Sequence, residues 1–198
     1  MQAVGNLYDK YGTKNPIARR LMRGFLGTVL DLSRMAAPRR VLEVGCGEGH
    51  LTQFLFERLL PERFDACDLG LERLTPHRDP RIEFRQASAY ELPYADASFD
   101  LVLCCEVLEH LTEPQRAVRE LERVTASSVI VSTPFEPLFR TMNLLRGAYL
   151  PALGNTPGHV QHFGPRTLRQ LVSSALDVRR VCTPLPWVVV LAERRRHI

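Results

Sequence analysis

Three glycines at alternate positions, Gly45, Gly47 and Gly49, follow the apolar run Val41, Leu42, Glu43, Val44 and precede Leu51, Phe54, Leu55 and Leu59, which recur at helical spacing. A loop of this kind turns the chain sharply after a buried strand and brings a ligand against main-chain N–H groups at a helix N-terminus. Two carboxylates flank it. Glu43 lies two residues before the first glycine, and Asp68 ends the next apolar run, where a carboxylate can accept hydrogen bonds from both hydroxyls of a ribose. The spacing is G-x-G-x-G, followed by His50, rather than the dinucleotide spacing G-x-G-x-x-G. A nucleoside bearing an amino acid therefore suits the loop better than a pyrophosphate. Three histidines, His110, His159 and His162, are the residues able to serve a hydroxyl acceptor as a base of near-neutral pKa.

The elements that must position these groups are legible from period and punctuation. Asn15 followed by Pro16 is an N-cap with proline at the first helical position, and Ile17, Leu21, Phe25, Val29 and Leu32 continue a helix to near Pro38. Strands are expected over 41–44, 64–68, 81–86, 99–105 and 129–132. A helix opened by Pro114, with Ala117, Val118, Leu121 and Val124 inside, separates the last two. Near-continuously apolar strands alternating with helices imply a mainly parallel sheet covered on both faces. The pattern lapses over 134–164, long for a plain connection, so a lid or substrate loop is expected there, with Phe139, Arg140, Met142, Leu144, Leu145, Arg146, Tyr149 and Leu150 as its amphipathic face. A helix then begins at Pro165, and strands over 178–182 and 187–192, tightly linked, should pair as an antiparallel edge.

Composition narrows the function classes. The 198 residues are 24% charged and 45% hydrophobic, the balance of one soluble globular domain. The domain is expected to divide into an arm and helix (1–38), a cofactor-binding half (39–133), the insertion (134–164) and a C-terminal helix with edge strands (165–198). No apolar run nears the roughly 20 residues of a membrane-spanning helix, and the first fourteen residues have no secretory pattern, so a cytoplasmic location is expected. The five cysteines show no C-x-x-C spacing and read as small buried hydrophobes. Net charge is +4, yet the arginines are dispersed, which makes a nucleic-acid partner unlikely on charge grounds.

Residues 41–50, VLEVGCGEGH, and residues 92–110, LPYADASFDLVLCCEVLEH, resemble the class I S-adenosylmethionine-dependent methyltransferases. The resemblance covers 41–191 and implies a Rossmann-like three-layer α/β sandwich, a mainly parallel seven-stranded sheet with an antiparallel edge strand and a lid insertion. It implies S-adenosylmethionine as cofactor. Glu43, Gly45, Gly47 and Gly49, with Cys46 inside the loop, would hold its methionine part, Asp68 its ribose, and Leu69 would pack on adenine. The stretch with Ser88 and Ala89 would meet the adenine edge, although many relatives carry Asp where Ser88 stands. Glu106 would flank the methionine part and the acceptor, and Tyr11 belongs to an N-terminal arm that folds over the cofactor in related enzymes. The implied reaction is methyl transfer to an oxygen or nitrogen of a small molecule, with His110, His162 and His159 as candidate bases. The string Glu106-Val107-Leu108-Glu109-His110 also resembles that of small-RNA 3′-terminal ribose 2′-O-methyltransferases, which implies an alternative of a divalent metal on Glu106, Glu109, His110 and His162. An NAD-type oxidoreductase and a catalytically silent cofactor-binding module stand as further alternatives.

Overall fold

Asn15 caps the first helix as its sequence demands. Its side-chain oxygen accepts the Ile17 and Ala18 N–H groups at 2.9 and 3.3 Å, and Pro16 at the first helical position has no N–H to satisfy. The computed structural model describes residues 14–74, 79–136, 138–145, 147, 152–156 and 158–195. Within them, helices α1 (Pro16–Ala36), α2 (His50–Leu59), α3 (Pro114–Val124), α4 (Leu138–Leu145) and α5 (Pro165–Val172) surround seven strands. The strands are β1 (Arg40–Val44), β2 (Arg63–Asp68), β3 (Ile82–Gln86), β4 (Phe99–Cys105), β5 (Thr125–Pro134), β6 (Leu176–Cys182) and β7 (Trp187–Arg194). The expected arm with Tyr11 and the insertion residues Arg146, Tyr149 and Leu150 lie outside the described residues.

The strands form one sheet in the order β3-β2-β1-β4-β5-β7-β6. Strands β1 to β5 run parallel, while β7 is antiparallel to both β5 and β6, so the last two strands make the expected antiparallel pair at one margin of the sheet. The chain leaves β3 at one edge and re-enters at β4 beside β1. That reversal opens a crevice beyond the C-terminal ends of β1 and β4, where ligands of open α/β sheets bind.

Strand side chains alternate between two cores. Leu42, Val44, Val102 and Cys104 pack with Ala117, Val118 and Leu121 of α3 and Leu168 and Val172 of α5. Val41, Leu101, Leu103 and Cys105 pack with Phe25 and Val29 of α1 and Leu51 and Leu55 of α2. The period of two on both faces is why these strands read as continuous apolar runs. Four of the five cysteines are buried and Cys182 is half-buried.

Two elements extend past the sequence expectation. Strand β5 runs from Thr125 to Pro134 because it is paired on both sides, Ser128 with Leu101 and Glu193 at one end and Pro134 with Trp187 at the other. Its buried Ser128, Ser132 and Thr133 masked that length in the sequence. Helix α4 forms within the insertion, over the stretch from Phe139 to Leu145 expected to be amphipathic. Its buried Asn143 donates from Nδ2 to the Gly154 carbonyl at 2.8 Å and to Thr156 Oγ1 at 3.2 Å, so a polar side chain ties the helix to the chain that returns from it.

Candidate active site

The glycine loop is held by main-chain bonds to the end of β2. The N–H groups of Gly45 and Cys46 donate to the Cys67 carbonyl at 2.7 and 3.1 Å, and Gly47 N–H donates to Asp68 Oδ2 at 2.8 Å. All three glycines have positive φ, at 81°, 53° and 81°. At Gly45 a side chain would collide with Val107, just beyond β4. At Gly47 a Cβ meets no atom of the described residues within 4 Å, so these leave the space beside it open.

Asp68 also accepts Gly70 N–H at 3.2 Å on Oδ1. Each carboxylate oxygen has two lone-pair sites, so both can accept a ribose hydroxyl while keeping these main-chain donors. Glu43 sits on the α1/α2 side of β1, 2% exposed, and accepts a hydrogen bond from Thr52 Oγ1 of α2. Burial pushes its carboxyl up to about 8, against the Thr52 bond that lowers it and helped by the charge of Asp68. Burial likewise raises the Cys46 thiol, which has no character of a reactive thiolate.

The neighbouring turn is built by Ser88, whose Oγ accepts Tyr90 N–H at 3.2 Å, while the Ala89 side chain is buried in the core. Leu69 is 37% exposed, and its carbonyl accepts the Gln86 side-chain amide at 2.7 Å. Glu106 adopts φ 61°, a left-handed conformation that costs a non-glycine residue about 1 kcal/mol and recurs at ligand sites. Its N–H donates to the Ser132 carbonyl at 3.0 Å, its Oε1 lies 3.4 Å from Ser132 Oγ, and its Oε2 accepts Trp187 Nε1–H at 2.8 Å. Trp187, 81 positions away and missed by sequence reasoning, thus anchors Glu106, and its ring packs on Phe25.

The histidines separate into a pair and an outlier. His110 ends the short 3-10 turn Leu108–His110, and its Nδ1 lies 2.9 Å from the Gly158 carbonyl. A carbonyl only accepts, so Nδ1 carries the proton and Nε2 the lone pair. Val160 and Gln161 N–H donate to the Glu109 carbonyl at 2.9 and 3.0 Å, docking the end of the insertion onto that turn. His159 is thereby brought edge-on to His110, with ring centres 4.9 Å apart. One ligand atom each from Glu109, His110 and His159 lies within 4.8 Å of the others. No metal is the main expectation from sequence, and this grouping differs from the alternative set that the E-x-x-E-H resemblance implies. His159 takes the place given to His162, because the returning chain puts residue 159 against the turn, and Glu106 is turned toward Trp187 and Ser132. His162 is exposed and lines a cavity of about 470 Å³ with Glu136, Gly164, Pro165, Arg166 and Thr167.

The residues fit an S-adenosyl cofactor on structural grounds, through open space at Gly47, a buried carboxyl at Glu43 and an acid tethered to the loop at Asp68. Among the described residues, no helix is long and apolar enough to cross a membrane. Residues 42–132 match the family described as "Methyltransferase domain". A probable S-adenosylmethionine-dependent methyltransferase of Mycobacterium tuberculosis is 39% identical over 108 residues, 52% of this chain and 38% of that protein. The malonyl-[acyl-carrier protein] O-methyltransferase of Halorhodospira halophila is 37% identical over 120 residues, 57% of this chain and 39% of that protein. The chain thus matches well under half the length of these relatives. The N-methyltransferase NodS of Bradyrhizobium japonicum, solved in complex with S-adenosyl-L-homocysteine, superposes with a TM-score of 0.69 at 17% identity, covering 96% of this chain and 94% of that one. With the glycine loop and the sheet order, these matches make the chain similar over residues 42–132 to the class I S-adenosylmethionine-dependent methyltransferases and support S-adenosylmethionine as its cofactor.

Proposed function

We propose that the protein transfers a methyl group to an oxygen or nitrogen of a small-molecule acceptor. The observation that carries this reading is the docking of residues 158–161 on the turn Leu108–His110, which sets two imidazoles together beyond the C-terminal end of β4, on the turn that follows Val107, the neighbour of Gly45. The bound cofactor supplies an electrophilic methyl group on a sulfonium. Methyl transfer then needs positioning and exclusion of water more than acid catalysis. Asp68 accepts the ribose hydroxyls, and Glu43 with the glycine loop seats the amino-acid end. His110, with Nδ1–H held by Gly158, offers Nε2 to take the proton that the acceptor oxygen or nitrogen loses. The names of the Halorhodospira and Bradyrhizobium proteins, an O- and an N-methyltransferase, support both acceptor types.

A second reading is favoured by the grouping of Glu109, His110 and His159, a donor set suited to mixed nitrogen and oxygen coordination of a divalent ion. Ligand atoms around one such ion at about 2.1 Å lie no more than about 4.2 Å apart, so the three need only a small shift. In that case Glu109, His110 and His159 would hold the ion, which would supply Lewis-acid activation of an acceptor hydroxyl, as the resemblance of the E-x-x-E-H string to the ribose methyltransferases implies. One experiment separates the readings. Labelled S-adenosylmethionine is incubated with a metabolite extract or with short RNA, with and without chelator, for wild type, His110→Ala and His159→Asn. A small-molecule product that survives chelator and falls roughly 10² to 10⁴-fold in His110→Ala supports the first reading. RNA labelling abolished by chelator and restored by Mn²⁺ supports the second, and no labelled product from either source overturns both.

A further inference from the structure

One acidic side chain faces the histidine pair from outside the expected site. Glu136 follows β5 by two residues, and its backbone N–H donates to the Phe163 carbonyl at 2.9 Å. Its Oε2 accepts Arg140 N–H at 3.3 Å, in the first turn of α4. Its Oε1 lies 3.8 Å from His159 Nδ1, and both side chains are 6% exposed. Among the described residues, neither Oε1 nor Nδ1 has a hydrogen-bond partner. Two complementary atoms, each buried and unsatisfied, thus face one another about 1 Å beyond hydrogen-bond length.

We propose that Glu136 is the positioning residue of His159, with Oε1 accepting Nδ1–H and so leaving the lone pair on Nε2. The Gly158 carbonyl does the same for His110, so the two facing imidazoles, one on the 3-10 turn and one on the returning chain, are held as the same tautomer by a carbonyl and an acid. The groups facing His159 are Glu136 after β5, Glu109 and His110 on the 3-10 turn, and Phe139 of α4. The residue type follows from the count of donors. Arg140 N–H and His159 Nδ1–H both require an acceptor, and a carboxylate serves two where an amide has one accepting oxygen. The role of this orientation in methyl transfer rests on the reading given above, whereas the orientation itself is measured without turnover.

The test is the long-range proton–nitrogen spectrum of the histidine side chains in the full chain. It is recorded at pH 8.5 with chelator present, so that the neutral imidazoles are read with no metal dictating the tautomer. His159→Asn identifies the His159 signals. The expected result is the Nδ1–H form for His159 in wild type, and a shift to the Nε2–H form in Glu136→Ala and Glu136→Gln, with unchanged far-ultraviolet circular dichroism. An Nε2–H form in wild type overturns the proposal even if the Glu136 variants fail to fold. A folded Glu136→Ala that keeps the wild-type spectrum also overturns it, and assigns the carboxylate to the adjoining cavity instead. A Glu136-dependent tautomer in a chain that labels no acceptor leaves the positioning in place and removes only the methyl-transfer reading.

Discussion

At Glu43 the structure makes a quantitative statement about protonation. The carboxyl is pushed up to about 8 by burial, while in the unfolded chain it titrates near its ordinary value of about 4.3. Between those values the folded protein holds a proton that the unfolded chain has released, so this group's contribution is fully present below about pH 4.3 and is lost as pH rises through about 8. Glu43→Gln imitates the protonated form. The melting temperature of Glu43→Gln minus that of wild type, measured without cofactor, should therefore grow from pH 5 to pH 8.5, and a flat difference contradicts the buried-proton account. Seating the cofactor's ammonium nearby favours the carboxylate. Calorimetric titration with S-adenosylhomocysteine at pH 7 in buffers of different ionisation enthalpy should then report proton release in wild type and none in Glu43→Gln.

The loop between β1 and α2 assigns different duties to its glycines. Gly45 must lack a side chain because Val107 fills the space where one would stand, which is a packing demand of the protein itself. Gly47 faces open space among the described residues, so the protein itself demands only a φ of 53° there, and any further demand would be a ligand's. A left-handed alanine costs roughly 1–2 kcal/mol, which in a domain of this size lowers the melting temperature by about 2–4 °C per kcal/mol. Gly45→Ala should melt several degrees below Gly47→Ala, since it adds the collision with Val107 to the same backbone cost. Gly47→Val should stay folded by circular dichroism and lose S-adenosylhomocysteine binding in titration. Equal melting of the two alanine variants, or retained affinity in Gly47→Val, contradicts this division.

Across the whole molecule, the last strand pairs with β5 and so joins the parallel part of the sheet. Pairing of Trp187 with Pro134 puts the indole at the C-terminal end of β5, where Nε1–H meets Glu106 and the ring packs on Phe25 of α1. Trp187 is the single tryptophan of the chain. Its emission should therefore change saturably on titration with S-adenosylhomocysteine, with a midpoint matching calorimetry. Trp187→Phe removes a hydrogen bond to a carboxylate worth about 1.5–3 kcal/mol, and should lower the melting temperature. An emission spectrum indifferent to saturating ligand would count against Glu106 lying at the cofactor.

What the chain order alone determined was everything that depends on neighbours in sequence. The Asn15-Pro16 helix start, the apolar strands, the glycine loop and the acids at Glu43 and Asp68 are local patterns of period and spacing, and the sheet follows them closely. Burial on both faces explains why β1, β2 and β4 were legible, and its dilution by Thr125, Ser128, Ser132 and Thr133 explains why the length of β5 was not. Helix α4 was legible only as an amphipathic stretch, because the bonds of Asn143 to residues eleven and thirteen positions later are not a local pattern. The choice of His159 over His162 beside His110, and the places of Glu136 and Trp187, were decided only by the tertiary structure. Each depends on which side of a returning segment meets the 3-10 turn and the end of β5, and a three-residue shift in that docking would exchange the histidines without altering any local pattern.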